Sequence, residues 1–273
     1  MANRALVPNP IQPEQLGAAL AALRERAPLV QCLTNIVVAN FTANVLLAAG
    51  ASPAMVDNPA EAGAFAGVAS GILVNLGTPY PDTAAGMAAA VDGAESAGKP
   101  WVLDPVATGV LGWRTSLATG FLADHHPAIV RGNASEILAL AGGAGGKGVE
   151  SLETSEQALD AATALAIDHQ TVVAVSGAVD HLTDGERLVR VGNGHPWLTR
   201  ITGSGCALGA LMAAFAAVVD DPLYAATAAT ATLTVAADVA AARSTGPGSF
   251  AVALIDSLAA LEPPALVRAV RLG

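Results

Sequence analysis

The chain has 273 residues, more than the roughly 100–200 of a typical domain, so it can build a sizeable core without disulfide or metal staples. Hydrophobic residues make up 53% and charged residues 13% of it; about 25% charged is ordinary, so a disordered chain and a solvated coiled coil are excluded. Lys plus Arg number 13 against 23 Asp plus Glu, a net charge of −10, which is the wrong balance for a binder of nucleic-acid backbones.

The opening MANRALVPNPIQPEQ lacks the basic segment and apolar run of an export signal. It reads as a short extended lead, about residues 1–13, into one domain spanning 1–273. Short β-rich runs then alternate with alanine-rich, helix-like segments: PLVQCLT, SPAMV, GILVNL, WVLDP, AIVRG and TVVAVSG. Such runs are apolar without strict alternation, which predicts an α/β fold whose mostly parallel central sheet is covered by helices on both faces. AGGAGGKG at 141–148 reads as a mobile surface loop within the domain. HLTDGERLVRV predicts a hairpin turning at Asp184-Gly185 near the sheet edge. Helices are expected over about 204–219, 222–242 and 247–261, separated by Asp220-Asp221-Pro222 and Gly246-Pro247-Gly248. The apolar stretch 207–219 ends at Asp220 and Asp221 and is shorter than a membrane span, so a cytoplasmic protein is expected, with no membrane partner. Low charge and abundant alanine further suggest apolar surface covered by other subunits.

Chemistry concentrates where the strands stop. Thr34-Asn35, Asp57-Asn58, Asn75 with Gly77-Thr78, Asp104, Arg131-Gly132-Asn133 and Ser176-Gly177 each follow an apolar run. In an open α/β sheet the carboxyl ends of parallel strands share one edge, where ligands bind; each cluster taken singly is also explained by capping of the next helix. ITGSGCALGALMAAF at 201–215 places the amides of Gly203, Ser204, Gly205 and Cys206 around a helix start. Free N–H groups and the helix dipole there suit an anion such as a phosphate, although glycines needed only for a tight turn read the same way. No GxxxxGK[ST] loop is present. Cys206 in that first turn is placed for a lowered thiol pKa, as proton acceptor or as a group that positions a hydroxyl, with an inert buried thiol as the alternative. Cys32 lies inside a strand run and reads as structural.

Asp104 and Glu136 are the metal candidates, two carboxylates able to meet phosphates through magnesium and its waters; Asn133 and Glu136 also have the spacing of a capping box. Arg131, in a chain with few cations, suits a polyphosphate or the charge that develops on a transferred phosphoryl group, and an ordinary ion pair is its alternative. His125, His126, His181 and His195 have no convincing ligand spacing, so no zinc is predicted.

The succession TNIVVANFTANVLLAAGASPAM, NLGT, WVLDPVATG, IVRGNASEI, VSGAVDHLTDG and GNGHPWLTRITGSGCALGA closely resembles the hydroxyethylthiazole kinase family of the ribokinase-like superfamily. The blocks run in the same order over about residues 14–262. The resemblance implies a ribokinase-like fold and an ATP- and Mg2+-dependent kinase that phosphorylates the hydroxyl of 4-methyl-5-(2-hydroxyethyl)thiazole in thiamine salvage, giving the thiazole phosphate and ADP. It also implies a homotrimer with active sites between subunits. Carried over to this sequence, it places the thiazole against Asn35, Met55 and Gly203, with Val38 and Ala39 in the same region. Arg131 and Ser176 become ATP contacts, with Asn133 on the nucleotide side, and Asp104 and Glu136 lie near magnesium. Cys206 ends the glycine turn of Gly203, Ser204 and Gly205, where most ribokinase-like kinases resemble one another in having Asp. Other readings are a kinase for hydroxymethylpyrimidine or pyridoxal, a repair dehydratase of the same fold, a cysteine hydrolase using Cys206, and a nucleotide sensor.

Overall fold

The computed structural model describes residues 6–8, 11–142 and 154–273. Within them the elements run β1 (Val7–Pro8), α1 (Pro13–Arg26), β2 (Leu29–Leu33), α2 (Ala39–Ala49), β3 (Ser52–Ala54), α3 (Ala62–Val68), β4 (Gly71–Asn75), α4 (Pro81–Ser96), β5 (Trp101–Asp104), α5 (Gly112–Asp124), β6 (Ile129–Asn133) and α6 (Ala134–Leu140). They continue as α7 (Leu159–His169), β7 (Val172–Ser176), β8 (Asp180–Thr183), β9 (Arg187–Val191), a 3-10 turn (Pro196–Arg200), α8 (Ser204–Ala216), α9 (Pro222–Ala241), α10 (Pro247–Ala260) and α11 (Pro263–Ala269). The glycine-rich stretch expected as a loop lies, from residue 143 on, outside the described residues.

Every β-rich run identified in the sequence is a strand. Among the described residues they form one nine-stranded sheet in the order β1-β9-β8-β7-β6-β5-β4-β2-β3. The pairs from β3 across to β7 are parallel. The hairpin β8–β9 is antiparallel, with Gly185 at φ +90° in its turn. Its outer strand does not end the sheet, because β1 pairs with it in parallel; a two-residue strand in the opening lead has no periodicity by which a sequence could announce it.

The strands are continuous apolar runs because both faces are covered. Val30, Cys32, Leu73, Val102 and Ile129 pack with α1, α8, α9 and α10, whereas Leu33, Ile72, Val74, Leu103 and Val130 pack with α3 to α7. Successive side chains thus enter opposite layers, and each buried aliphatic side chain contributes about 1.5–3 kcal/mol. Helix α9 is the described helix long and apolar enough to cross a membrane, with mean hydropathy 1.3 over its best window, and 83% of that window is buried inside the fold. The sequence points to 207–219 as the apolar stretch and to a helix over about 222–242; α9 carries buried threonines among its alanines, which mask how apolar its surroundings are. Thr227, Thr230 and Thr234 each donate to the carbonyl four residues back, which lets a hydroxyl sit inside a core.

Candidate active site

The parallel register brings the carboxyl ends of β2, β4, β5, β6 and β7 to one edge of the sheet, and their terminal side chains touch in sequence across it. Asn35, just beyond β2, donates from Nδ2 to Asn75 Oδ1 at 2.9 Å. Asn75, the last residue of β4, donates from Nδ2 to Asp104 Oδ2 at 2.6 Å. Asp104 ends β5, and its other oxygen, Oδ1, lies 3.6 Å from Arg131 Nη1 on β6. Arg131 Nη2 donates to Ser176 Oγ, the last residue of β7, at 3.0 Å. Five of the six expected strand-end clusters are therefore joined. The sixth serves a local turn: Asn58 Oδ1 accepts from Ala60 N at 2.9 Å.

Helix α8 starts over the middle of this row. Gly203, its cap, has φ +91°, and a Cβ there would lie 2.9 Å from Val38, so both the left-handed backbone and the close approach call for glycine. Two residues on, a Cβ on Gly205 would lie 2.6 Å from Arg131 Nη1; the absent side chain is what lets the guanidinium lie under the helix start. Ser204 donates its hydroxyl to Leu198 O at 2.7 Å, tying the helix to the preceding 3-10 turn. Cys206 Sγ accepts from Asn35 Nδ2 at 3.5 Å. The first turn of α8 thus lies against the same edge as Asp104 and Arg131.

Asp104 is fully buried. Burial pushes its carboxyl up to about 6 against the pull of Arg131, and the Glu136 charge adds to the rise. Burial also opposes the charge of Arg131, but the carboxylates of Asp104 and Glu136 outweigh it and hold the guanidinium charged. Cys206 departs from the expected lowered thiol: burial, followed by the Asp104 charge, pushes it up to about 11. The helix dipole cannot offset removal of the thiolate from water beside a carboxylate. Cys32 is enclosed in its strand and is driven by burial to about 12, in keeping with a structural thiol.

Glu136 and Asn133 form the capping box that their spacing allowed. Asn133 Oδ1 accepts from Glu136 N at 3.0 Å, and Glu136 Oε2 accepts from Asn133 N at 2.8 Å. Glu136 Oε1 also accepts from Ala107 N at 2.9 Å, holding the turn after β5, where Ala107 has φ +64°. Met55 follows β3, the strand at the sheet margin, and is 39% exposed; it stands outside the row of contacts. Ile36 and Val37, next to Asn35, are also exposed.

The feature that marks this edge as a ligand site is its unmet hydrogen bonding. Among the described residues nine buried side-chain polar atoms lack a hydrogen-bond partner, and five belong to this edge: Thr34 Oγ1, Thr78 Oγ1, Asp104 Oδ1, Thr108 Oγ1 and Arg131 Nε. Each such atom costs about 1–3 kcal/mol unless a ligand or water satisfies it. Among the described residues no group of three or more His, Cys, Asp and Glu could hold a metal, so this is no closed protein cage. An open carboxylate oxygen beside a helix start is a donor set that fits magnesium when phosphates supply the remaining ligands. Sequence reading noticed Asn75 but gave it no role; its signal was a polar amide at the end of a fully buried strand, directly opposite Asp104 in the register.

Comparison with known proteins identifies the family to which the chain is similar. A family model described as "Hydroxyethylthiazole kinase family" matches residues 20–263. A protein named hydroxyethylthiazole kinase from Clavibacter sepedonicus is 60% identical over 255 residues, covering 93% of this chain and 92% of the relative. One of the same name from Cutibacterium acnes is 57% identical, covering 89% and 88%. The solved hydroxyethylthiazole kinase protein of Pyrococcus horikoshii OT3 superposes with a TM-score of 0.87 at 39% identity, covering 94% of this chain and 98% of that one. The ADP complex of Bacillus subtilis pyridoxal kinase shares the fold alone, with a TM-score of 0.57 at 16% identity over 77% of this chain and 91% of that one.

Proposed function

The chain belongs to the hydroxyethylthiazole kinase family, and from that premise we propose that its sheet-edge site transfers the terminal phosphoryl group of ATP to the hydroxyl of 4-methyl-5-(2-hydroxyethyl)thiazole, in thiamine salvage. The observation that carries this reading is the set of five unsatisfied buried polar atoms at the carboxyl ends of the strands, Asp104 Oδ1 and Arg131 Nε among them, next to the first turn of α8, whose cap makes no side-chain hydrogen bond.

The amides of Gly203, Ser204, Gly205 and Cys206 take up phosphate oxygens as charge develops on them, where a pre-oriented dipole needs no reorganisation. Arg131 neutralises the transferred group from below, steadied by Ser176 and Asp104. Ser176 and, at the end of β6, Asn133 stand on the nucleotide side. Asp104 Oδ1 fits magnesium directly or through water, and Glu136, with each oxygen already accepting a backbone N–H, fits only an outer position through water. When bound, magnesium would neutralise part of the charge on the phosphates.

On the acceptor side, Asn35 and Gly203 hold the alcohol and Met55 packs on the thiazole ring. Cys206 positions the hydroxyl; with its thiol raised to about 11, it is protonated at neutral pH and serves as a neutral contact. Alignment and charge stabilisation therefore carry most of the rate. The exposed Ile36, Val37 and Met55 beside the site support a homotrimer whose subunits cover this surface, each a single ribokinase-like domain spanning 1–273, in the cytoplasm.

The test is mass-resolved product formation with ATP, Mg2+ and hydroxyethylthiazole, with pyridoxal and hydroxymethylpyrimidine in parallel. Thiazole phosphate formed with an equal amount of ADP supports the reading. Phosphorylation of another alcohol alone overturns the substrate, and absence of ADP with all three overturns phosphoryl transfer.

A further inference from the structure

We propose that Asn75 is the positioning residue of this site, a buried amide that fixes which oxygen of Asp104 and which end of Asn35 are left to meet ligands. The proposal rests on the phosphoryl-transfer reading above and adds a residue to it.

Asn75 is fully buried, and its two ends face groups of opposite demand. Gly77 N–H can only donate, and it reaches Asn75 Oδ1 at 3.0 Å. The Asp104 carboxylate accepts, and it takes Asn75 Nδ2 at 2.6 Å. The amide therefore has one orientation compatible with its neighbours. With Oδ2 of Asp104 engaged, Oδ1 is the oxygen that remains, and it is the one without a hydrogen bond. On the other side, Asn75 Oδ1 also accepts from Asn35 Nδ2, whose second contact is Cys206 Sγ. Asn35 thus has its nitrogen engaged twice, and its carbonyl oxygen is the end left to receive an alcohol O–H. One side chain sets the nucleotide half and the acceptor half of the site together.

The two halves can be separated chemically. Asn75→Asp keeps the shape and the acceptor for Gly77 and Asn35, but replaces the donor to Asp104 by a second acceptor at 2.6 Å. A proton shared between the two carboxyls would restore that donor near neutral pH, so the variant is measured at alkaline pH, where both ionise and repulsion moves Asp104 while Asn35 stays in place. Asn75→Ala removes all three hydrogen bonds, to Asp104, Asn35 and Gly77. A merely structural residue would instead affect both ligands alike and act through folding.

The experiment is calorimetric titration with Mg–ADP and, separately, hydroxyethylthiazole, beside steady-state kinetics. For Asn75→Asp, Mg–ADP affinity and kcat are expected to fall about 10–100-fold, the range for groups that orient a ligating carboxylate, with thiazole affinity retained. For Asn75→Ala, both affinities are expected to fall. Unchanged Mg–ADP affinity and kcat in Asn75→Asp overturn the proposal, as does equal weakening of both ligands. Should Asn75→Asp not fold, the exchange variant Asn75→Asp with Asp104→Asn restores a donor opposite an acceptor. It is expected to fold and bind the thiazole, and loss of thiazole binding in the folded exchange variant overturns the proposal. Failure of the unsubstituted chain to form thiazole phosphate would refute the reaction itself, a result distinct from all of these.

Discussion

Gly205→Ala isolates the placement of Arg131 from its charge. Gly205 lies in the first turn of α8, and its φ falls outside the left-handed range, so the backbone accepts alanine, which favours a helix over glycine by about 1 kcal/mol. The new Cβ would meet Nη1, Nη2 and Cζ of Arg131 at 2.6, 2.7 and 2.9 Å, whereas ordinary contact begins at 3.4 Å. The guanidinium must retreat by about 0.8 Å, the difference between 2.6 and 3.4 Å. Its bond to Ser176 Oγ, at 3.0 Å, and its 3.6 Å approach to Asp104 are then lost. A hydrogen bond to a charged group contributes about 1.5–3 kcal/mol, so kcat/KM for ATP should fall roughly 10–150-fold. The melting temperature should move little, because the helix gain offsets part of the contact loss. A coupled ADP-release assay at varied ATP, beside a thermal melt, reads both. Unchanged kcat/KM for ATP would show that Arg131 accommodates the methyl group, and that its seat beneath α8 has no part in transfer.

Cys206→Ser should keep kcat within about tenfold, because general-base removal typically costs 100-fold or more and burial already holds this thiol protonated; a 100-fold loss with intact thiazole binding would make Cys206 the proton acceptor. Asp180 accepts from Gly177 N at 2.8 Å, and burial raises its carboxyl to about 6 from 3.8. A carboxyl raised in the folded state favours folding while protonated and loses that contribution as pH rises through about 6. Asp180→Asn, which can keep the acceptor without the charge, should therefore stabilise the protein at pH 8 by up to about 3 kcal/mol. The gain should fade towards pH 4, and denaturant unfolding at both pH values checks it. Asp221 caps α9 through Leu223 N and Tyr224 N and pairs with Arg187 at 2.6 Å. Asp221→Ala should cost about 1–2 kcal/mol, and an unchanged denaturation midpoint would contradict the capping role.

The fold was legible because its strands are buried on both faces. Leu73 and Val74 enter opposite layers, and this double burial writes the uninterrupted apolar runs that betray a parallel sheet. The site was legible to the extent that one rule governs it, the sharing of an edge by the carboxyl ends of parallel strands. That rule brought Asn35, Asp104, Arg131 and Ser176 together before any contact was known, and the family resemblance added their roles. Other features depended on three-dimensional surroundings. Whether Cys206 is acidified by its helix or desolvated by its neighbours turns on Asp104 and the degree of burial. Whether Glu136 faces a ligand or the backbone turns on Ala107, 29 residues away. Strand β1 is two residues long and shows no pattern by itself.

The position of β3 at the sheet margin has a consequence for how this enzyme can change over evolutionary time. The row from Asn35 to Ser176 is interlocked, so altering any member disturbs its neighbours. Met55 hangs from a three-residue strand paired to β2 alone, and it takes no part in that row. If it packs on the thiazole ring as proposed, the contact with the ring is mechanically uncoupled from the row that holds the hydroxyl and the phosphates. Substitutions at this margin can then vary the ring that is accepted while the grip on its hydroxyl and the transfer machinery stay intact, a modular arrangement in which one reaction is offered to a drifting set of ring systems.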